Sequence, residues 1–379
     1  MSEVVDLLAK LVAIDSVNPD LVPGGAGEAR IAAFVADWFS ARGFAVERLE
    51  PKLGRPSVVA TAKGRGGGRS LMFNGHLDVV GVTGYVGNPF EPRIEDGRLY
   101  GRGSIDMKAG VAAMMVAAAR AKAKGCRGDI MVACVADEEF GSLGSEAVAQ
   151  KYRPDAVIVS EPTGMVPVVT HKGYASFDIH IEGKAAHGSR PDLGIDAIAK
   201  AGHFLVALEA YGKRLAQGKG VPLLGPGSVH ASMIWGGQEI SSYPAACTVQ
   251  LERRTVPGET ADTVEQDLRK ILAGLSATVP DFRASLTRQI CRDPLVNADN
   301  SPIILALETA AAGRLGRAAP RAGIAFWTDA ALFSDKGIPA MVFGPSGEGL
   351  HSKTEWADIA SVEACADILE AAALSFCNG

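Results

Sequence analysis

An apolar stretch, LMFNGHLDVV at residues 71–80, strongly constrains how this chain can fold. Its length and composition predict a buried β-strand. His76 and Asp78 stand two residues apart, so their side chains would point to the same face of that strand. Taken alone, the pair is more typical of a turn than of a metal site, because turn chemistry is far commoner than metal ligation.

Three acidic clusters farther along the chain change that interpretation. Asp106 follows a glycine-rich loop and precedes an Ala/Met/Val-rich segment that predicts a buried helix. Glu138 and Glu139 follow the apolar run IMVACV, and Glu161 follows the apolar run AVIV. Adjacent carboxylates repel each other, and a cation is the simplest partner that offsets the cost.

A further polar residue, His351, follows another apolar run and a glycine-rich loop near the end of the chain. In open parallel α/β sheets, ligands bind beyond the carboxyl ends of the strands, where all these residues are expected. The mixed nitrogen and oxygen donors suit zinc, with cobalt or manganese as substitutes. If one carboxylate bridges, two ions can share the set and keep room for water. The candidate ligands are His76, Asp106, Glu139, Glu161 and His351.

Composition predicts a globular cytoplasmic protein. The 379 residues favour two domains, and 47% hydrophobic with 21% charged residues is typical of a folded chain. A net charge of −5 without a basic stretch argues against a nucleic-acid partner. The chain opens without the basic start and apolar core of a signal peptide, and its longest apolar run is too short to span a bilayer.

The order of predicted elements indicates an inserted domain. Helices alternate with apolar strands up to about Gly164, which is typical of an α/β sheet. The pattern then becomes βαββαβ, a self-sufficient two-layer unit, before the first pattern resumes. We therefore predict a catalytic domain formed by residues 1–172 and 291–379, with a second domain inserted at 173–290.

Six motifs follow one another along nearly the whole chain: GHLDVV, GRGSIDMKAG, DEEFGSLG, SEPTG, AAHGSRP and GLHSKTEW. In sequence and order they resemble the motifs of the M20 metallopeptidase family. The branch of acetylornithine deacetylases and succinyl-diaminopimelate desuccinylases is the most similar. The resemblance implies a zinc-peptidase-like catalytic domain with a ferredoxin-like dimerisation lid, and hence a homodimer.

The same resemblance implies how two zinc ions per subunit would be held. His76 and Glu161 would bind one ion, Glu139 and His351 would bind the other, and Asp106 would bridge them.

The resemblance also implies the roles of two further acids. Asp78 would orient His76, as ligating histidines usually require. Glu138 would be the general base that activates water. Neighbouring side chains diverge in an extended segment, so Glu139 can bind metal while Glu138 stays free to carry protons.

Substrate contacts are expected mainly from the inserted domain. By resemblance, His187 would stabilise the oxyanion from the partner subunit, and Arg254 would bind the substrate carboxylate, for which arginine is well shaped. Arg253, next to Arg254, would face the other side of the strand as a solvated surface charge. Ser241 stands where many family members carry Asn, so its contact would differ. Thr328 and Asp329 match a segment that borders the substrate pocket in the family.

We therefore predict a di-zinc amidohydrolase that removes an acyl group from N-acyl amino acids. A dipeptidase or carboxypeptidase would use the same site. A binding or assembly protein that has lost the chemistry is a third hypothesis, against which the retained Glu138 argues.

Overall fold

The computed structural model describes residues 1–297 and 300–379. The chain forms two compact units. The first comprises Met1–Val169, Asn297–Ala322 and Thr328–Gly379, and the second comprises Thr170–Val296 and Gly323–Trp327. The second unit thus interrupts the first along the sequence.

In the described residues, the elements in chain order are α1 (Glu3–Val12), α2 (Ala29–Ser40), β1 (Ala45–Leu49), β2 (Ser57–Ala62), β3 (Leu71–His76), β4 (Arg93–Glu95), β5 (Arg98–Tyr100), an irregular helical segment (Ser104–Lys108), α3 (Ala109–Lys124), β6 (Ile130–Val135), α4 (Leu143–Lys151), β7 (Ala156–Val159), β8 (Val168–His171), β9 (Gly173–Glu182), α5 (Ala197–Gln217), β10 (Ser228–Gly236), β11 (Ala246–Thr255), α6 (Ala261–Thr278), β12 (Arg283–Arg292), α7 (Pro302–Leu315), β13 (Ala322–Ile324), α8 (Ala330–Ser334), β14 (Ala340–Val342), β15 (Gly347–Glu348), β16 (Trp356–Asp358) and α9 (Ile359–Asn378).

The main sheet has parallel strands at its centre. Its order is β1-β2-β6-β3-β7-β14-β8-β13, and the neighbours β6, β3, β7 and β14 run parallel to one another. β3, β7 and β14 are wholly buried, which explains their continuous apolar sequences. The carboxyl ends of these strands therefore lie along one edge of the sheet.

Helices α3 and α9 pack against each other beside this sheet. The first ten residues of α3, from Ala109 to Ala118, are all buried, as the Ala/Met/Val-rich sequence predicted. Gly110 allows especially close packing, because a Cβ atom there would lie 1.8 Å from the carbonyl oxygen of Ser160. The helix can approach the end of β7 only because this position lacks a side chain.

A small sheet connects two loops that carry candidate ligands. Its order is β15-β16-β5-β4, with Trp356 of β16 opposite Tyr100 of β5. Asp106 follows β5 along the chain, and His351 precedes β16. Pairing of these two strands therefore brings both loops to the same region of the first unit.

The second unit contains the predicted βαββαβ order, in β9, α5, β10, β11, α6 and β12. The antiparallel sheet has the order β10-β11-β9-β12. Burial alternates along β9, and its inward residues join α5 and α6 in one apolar core. The predicted α/β fold class is thus confirmed.

One expectation for this sheet is wrong. The sequence suggested that Arg253 is a solvated surface charge, but Arg253 is only 1% exposed. Strand alternation places Arg253 on the buried face of β11, where its guanidinium pairs with Glu259. Arg254 therefore lies on the opposite, more open face.

Candidate active site

Three neighbouring parallel strands bring polar residues to one edge of the main sheet. β3 ends at His76, β6 ends shortly before Glu138 and Glu139, and β7 ends two residues before Glu161. The predicted strand at 71–80 is shorter than expected, because Asp78 already lies in the loop beyond it. The contact between His76 and Asp78 nevertheless forms.

The candidate ligands converge around His76. The potential ligand atoms form two groups, and within each group all atoms lie within 4.8 Å of one another. The first group is His76, Asp106 and Glu139, and the second is His76, Glu138 and Glu161. His76 Nε2 lies 3.3 Å from Asp106 Oδ1 and 3.5 Å from Glu161 Oε1. These separations are short enough for one cation to contact several of the groups.

Asp106 lies between two imidazoles and uses a different oxygen toward each. Its Oδ1 faces His76, while its Oδ2 lies 3.2 Å from Nε2 of His351. The same nitrogen of His351 lies 3.1 Å from Glu139 Oε2. This is the arrangement expected of a carboxylate that bridges two ions.

The electrostatics of this cluster favour positive charge. Hydrogen bonds to Asp106 and then to Glu139 raise the pKa of His351 to about 10. Burial opposes charge on His76, but Glu161 and Asp106 outweigh it and raise the pKa well above its usual value. Burial, together with Asp106, raises the pKa of Glu139 to about 7. Metal ions would relieve the same repulsion among the carboxylates.

The adjacent acids Glu138 and Glu139 have different surroundings. Glu139 reaches His351, and its Oε1 is buried without a hydrogen-bond partner in the described parts of the chain. Glu138 Oε2 stands 4.0 Å from His76 Nε2. Burial raises the pKa of Glu138 well above its usual value, although His76 acts in the opposite direction. A raised pKa suits a group that must accept and return a proton.

Asp78 connects the loops that carry the acidic cluster. Its backbone oxygen lies 2.9 Å from His76 Nδ1. Its carboxylate accepts hydrogen bonds from the backbone N–H groups of Glu138 and Glu139, each at 3.2 Å, and from the side chain of Asn18 at 2.8 Å. Asp78 therefore fixes both the imidazole and the two acids.

Asn18 and Arg55 belong to a supporting network that the sequence analysis did not identify. Asn18 also donates to Asp137 Oδ1 at 3.0 Å. Arg55 donates to the same oxygen at 2.9 Å and forms two bonds of 2.6 Å with the buried carboxylate of Glu28. The Asn-Pro pair at residues 18 and 19 signals a turn, but its sequence gives no sign of these distant partners.

Thr328 and Asp329, predicted to border the substrate pocket, are both buried. Burial raises the pKa of Asp329 to about 6, against the hydroxyl groups of Ser145 and Ser142. The charge of Asp329 in turn helps to raise the pKa of Glu138. The structure thus places Asp329 near the acidic cluster.

The other predicted substrate contacts lie in the second unit. His187 is exposed, and its Nδ1 lies 2.8 Å from the hydroxyl of Ser189. The loop that carries His187 contacts the loop between β10 and β11, where the Gly188 N–H donates to the backbone oxygen of Ser241 at 2.7 Å. Arg254 forms an ion pair of 2.7 Å with Glu252 on the open face of the sheet.

Residues 72–375 match the model of peptidase family M20/M25/M40. The chain belongs to this family. The matched region contains every predicted site residue, from His76 to His351. The M20 assignment confirms the family expected from the six motifs, and with it a metal-dependent enzyme that hydrolyses amide bonds.

Curated relatives and solved structures are similar to this protein along almost the full chain. An acetylornithine deacetylase from Myxococcus xanthus is 30% identical, covering 98% of this chain and 97% of the relative. The structure of aminopeptidase PepT from Bacillus cereus superposes with a TM-score of 0.81 at 21% identity, covering 99% and 98% of the two chains.

A Bacillus subtilis protein described as a dinuclear metal binding M20 peptidase superposes with a TM-score of 0.75 at 17% identity, over 98% of this chain and 97% of the other. At these identities the solved structures establish the shared fold. Among the residues that the structure describes, no helix combines the length and apolar character needed to cross a membrane.

Proposed function

We propose that this M20 enzyme is a deacylase that hydrolyses N-acyl amino acids with the help of two zinc ions. The observation that carries the proposal is Asp106, whose two oxygens face two different imidazoles. The choice of a deacylase rests on the relative from Myxococcus xanthus, which is named an acetylornithine deacetylase and matches end to end.

The donor set fits two zinc ions. His76 and Glu161 would hold one ion, and Glu139 and His351 would hold the other, with Asp106 shared between them. Two imidazoles and three carboxylates match zinc's preference for nitrogen and oxygen donors. Among the residues that the structure describes, Oε1 of Glu139 has no hydrogen-bond partner, so it offers a further donor atom to a metal ion.

Bound zinc would supply Lewis acidity that polarises the amide carbonyl and acidifies water. Glu138 takes the proton of the attacking water and then delivers it to the amine, which cannot leave as an anion. Asp78 keeps Glu138 in reach through the hydrogen bond that it accepts from the Glu138 backbone. Proton transfer therefore requires an acid, Glu138, that does not itself bind a metal ion.

Groups of the second unit would select and orient the substrate. Arg254 would bind the α-carboxylate and so set the position of the scissile bond. His187 would donate to the developing oxyanion. Ser241 of the same unit, and Thr328 and Asp329 of the first unit, would shape the surroundings of the substrate.

We also propose a homodimer in which the second unit, expected at residues 173–290, acts as the dimerisation lid. β10 is an edge strand with large apolar side chains exposed on it. An exposed apolar edge strand is a ready template for pairing with a second copy. Those side chains are Met233 at 55%, Ile234 at 51% and Trp235 at 50% exposure.

A peptidase remains the second candidate, because the superposed solved structure from Bacillus cereus is an aminopeptidase. A substrate panel separates the two. Purified protein is assayed with zinc or cobalt against acetyl-, succinyl- and formyl-amino acids and against dipeptides. We expect the highest kcat/KM on an N-acyl amino acid. Turnover of dipeptides alone would replace the deacylase with a dipeptidase.

A further inference from the structure

A buried carboxylate outside the proposed ligand set accepts several hydrogen bonds from the loop that carries Asp106. Glu355 is fully buried, and its Oε1 accepts hydrogen bonds from the backbone N–H groups of Ile105 at 3.0 Å and Asp106 at 3.1 Å. Its Oε2 accepts from the N–H of Gly103 at 2.9 Å and from Arg102 at 2.8 Å. One side chain thus accepts four hydrogen bonds from the segment 102–106, which ends at Asp106.

The same residues also hold the loop that carries His351. Glu355 lies only four positions beyond His351. Arg102 uses its second terminal nitrogen to donate to the backbone oxygen of Ser352 at 2.7 Å. In return, the Gly101 N–H donates to the backbone oxygen of Glu355 at 3.2 Å. The two loops are therefore joined in both directions.

His351 lies at a position where both its exposure and its backbone conformation call for support from the loop. Its side chain is 57% exposed, and its φ of 57° lies in the left-handed region that few residues other than glycine adopt. Its position therefore depends on the polar contacts of the loop. Hydrogen bonds to a buried carboxylate are among the stronger ones available for that purpose.

We propose that Glu355 and Arg102 form a positioning clamp that sets the separation of Asp106 and His351 for metal binding. The proposal rests on the two-zinc function proposed above. It assigns these residues no contact with substrate or metal. Their role is to hold two ligands, brought from distant parts of the sequence, at the 3.2 Å separation observed between Asp106 Oδ2 and His351 Nε2.

The clamp should act unequally on the two ions. The ligands proposed for one ion are Asp106, Glu139 and His351. Two of these, Asp106 and His351, lie on loops that the clamp holds. The other ion shares only Asp106 with the clamp, because His76 and Glu161 are placed by the strands β3 and β7. Loss of the clamp should therefore weaken one ion much more than the other.

The test is a zinc titration of the metal-free full-length protein by calorimetry. Wild type should bind two ions tightly. In Glu355→Gln, the amide has one acceptor oxygen in place of two, so half of the loop contacts are lost. We expect the ion proposed for Glu139 and His351 to bind roughly 10–100-fold more weakly, the usual effect of losing a residue that supports a ligand. The other ion, which shares only Asp106 with the clamp, should lose much less affinity.

Asp155→Asn is the matched control, because Asp155 is also a carboxylate that accepts a backbone N–H, from Ser70 at 2.7 Å, before the start of β3. It should leave both ions unchanged. Arg102→Gln should repeat the selective loss and serves if Glu355→Gln fails to fold. Two wild-type affinities, or equal weakening of both ions in a folded variant, would overturn the clamp. A wild type without tight zinc would instead contradict the proposed function.

Discussion

At the residue scale, the neighbouring acids Glu138 and Glu139 illustrate how one dipeptide can serve two roles. Glu139 lies 3.1 Å from His351, whereas Glu138 stays 4.0 Å from His76. We expect Glu138→Ala to lower kcat by about 10²–10⁴-fold, the usual contribution of general acid–base catalysis. Zinc content, measured on the same sample by mass spectrometry, should stay at the wild-type level.

Glu139→Ala is the comparison for that variant, because it removes the same side chain from the adjacent position. It should lose zinc as well as activity. Near-normal kcat in Glu138→Ala would remove Glu138 from the role of base. Loss of zinc from Glu138→Ala would make it a ligand instead.

Arg254 offers a second residue-scale prediction. Arg254→Ala should weaken transition-state binding of substrates with a free α-carboxylate by on the order of 2–5 kcal/mol, the range for losing one partner of a charge pair. The measurement is kcat/KM for an N-acyl amino acid and for its amide. With the wild-type enzyme, kcat/KM for the amide should be lower than for the acid by about the same factor. Arg254→Ala should lower kcat/KM for the amide only a little further.

Arg288→Ala provides the control, since Arg288 is an exposed arginine of the same sheet that pairs with Glu265 and Asp262. Its kcat/KM values should match wild type. If Arg254→Ala penalises the acid and the amide equally, Arg254 does not bind the carboxylate.

At the element scale, helix α3 depends on the absence of a side chain at Gly110. Alanine normally stabilises a helix relative to glycine, by roughly 0.5–1 kcal/mol. At Gly110, however, the new Cβ would lie 1.8 Å from the Ser160 carbonyl oxygen. We expect Gly110→Ala to destabilise the protein by about 1–3 kcal/mol, as overpacked cores do. Chemical denaturation measures the difference.

Gly313→Ala in α7 is the matched control, because a Cβ there meets no described atom within 4 Å. It should be neutral or stabilising. Equal effects of the two substitutions would show that α3 can move away from β7, and that Gly110 is not needed for this packing.

The elements that the sequence predicted well are those with local signals. Apolar runs predicted the strands β3, β6 and β7, and the Ala/Met/Val-rich segment after Asp106 predicted the buried helix α3. The end of β3 was predicted too late. Asp78 leaves the strand direction because its carboxylate accepts the N–H groups of Glu138 and Glu139, some 60 residues away.

Other features could not be predicted because their partners are distant in sequence. Glu355 binds N–H groups about 250 residues earlier, and Asn18 binds Asp78 across 60 residues. Arg253 was misjudged for a different reason, because its partner Glu259 is only six residues away. A charge on a strand suggests solvent, but Glu259 lies near enough to pair with it on the buried face. Local patterns do not specify such pairs.

At the scale of the whole molecule, the proposed dimer predicts complementation between two inactive variants. His187→Ala and Glu138→Ala are co-expressed so that mixed dimers form. If His187 acts in the partner's site, each mixed dimer has one intact site, and random pairing should restore about a quarter of wild-type activity. Native mass spectrometry confirms the mixed dimers. No recovery in their presence would rule out a shared active site.

The most direct test of the central claim is removal and return of the metal. The intact protein is treated with a chelator, its zinc content is measured, and hydrolysis of the best N-acyl amino acid is followed as zinc is added back. We predict no activity without metal and a rise that saturates near two ions per chain. Full activity of the metal-free protein would contradict the account.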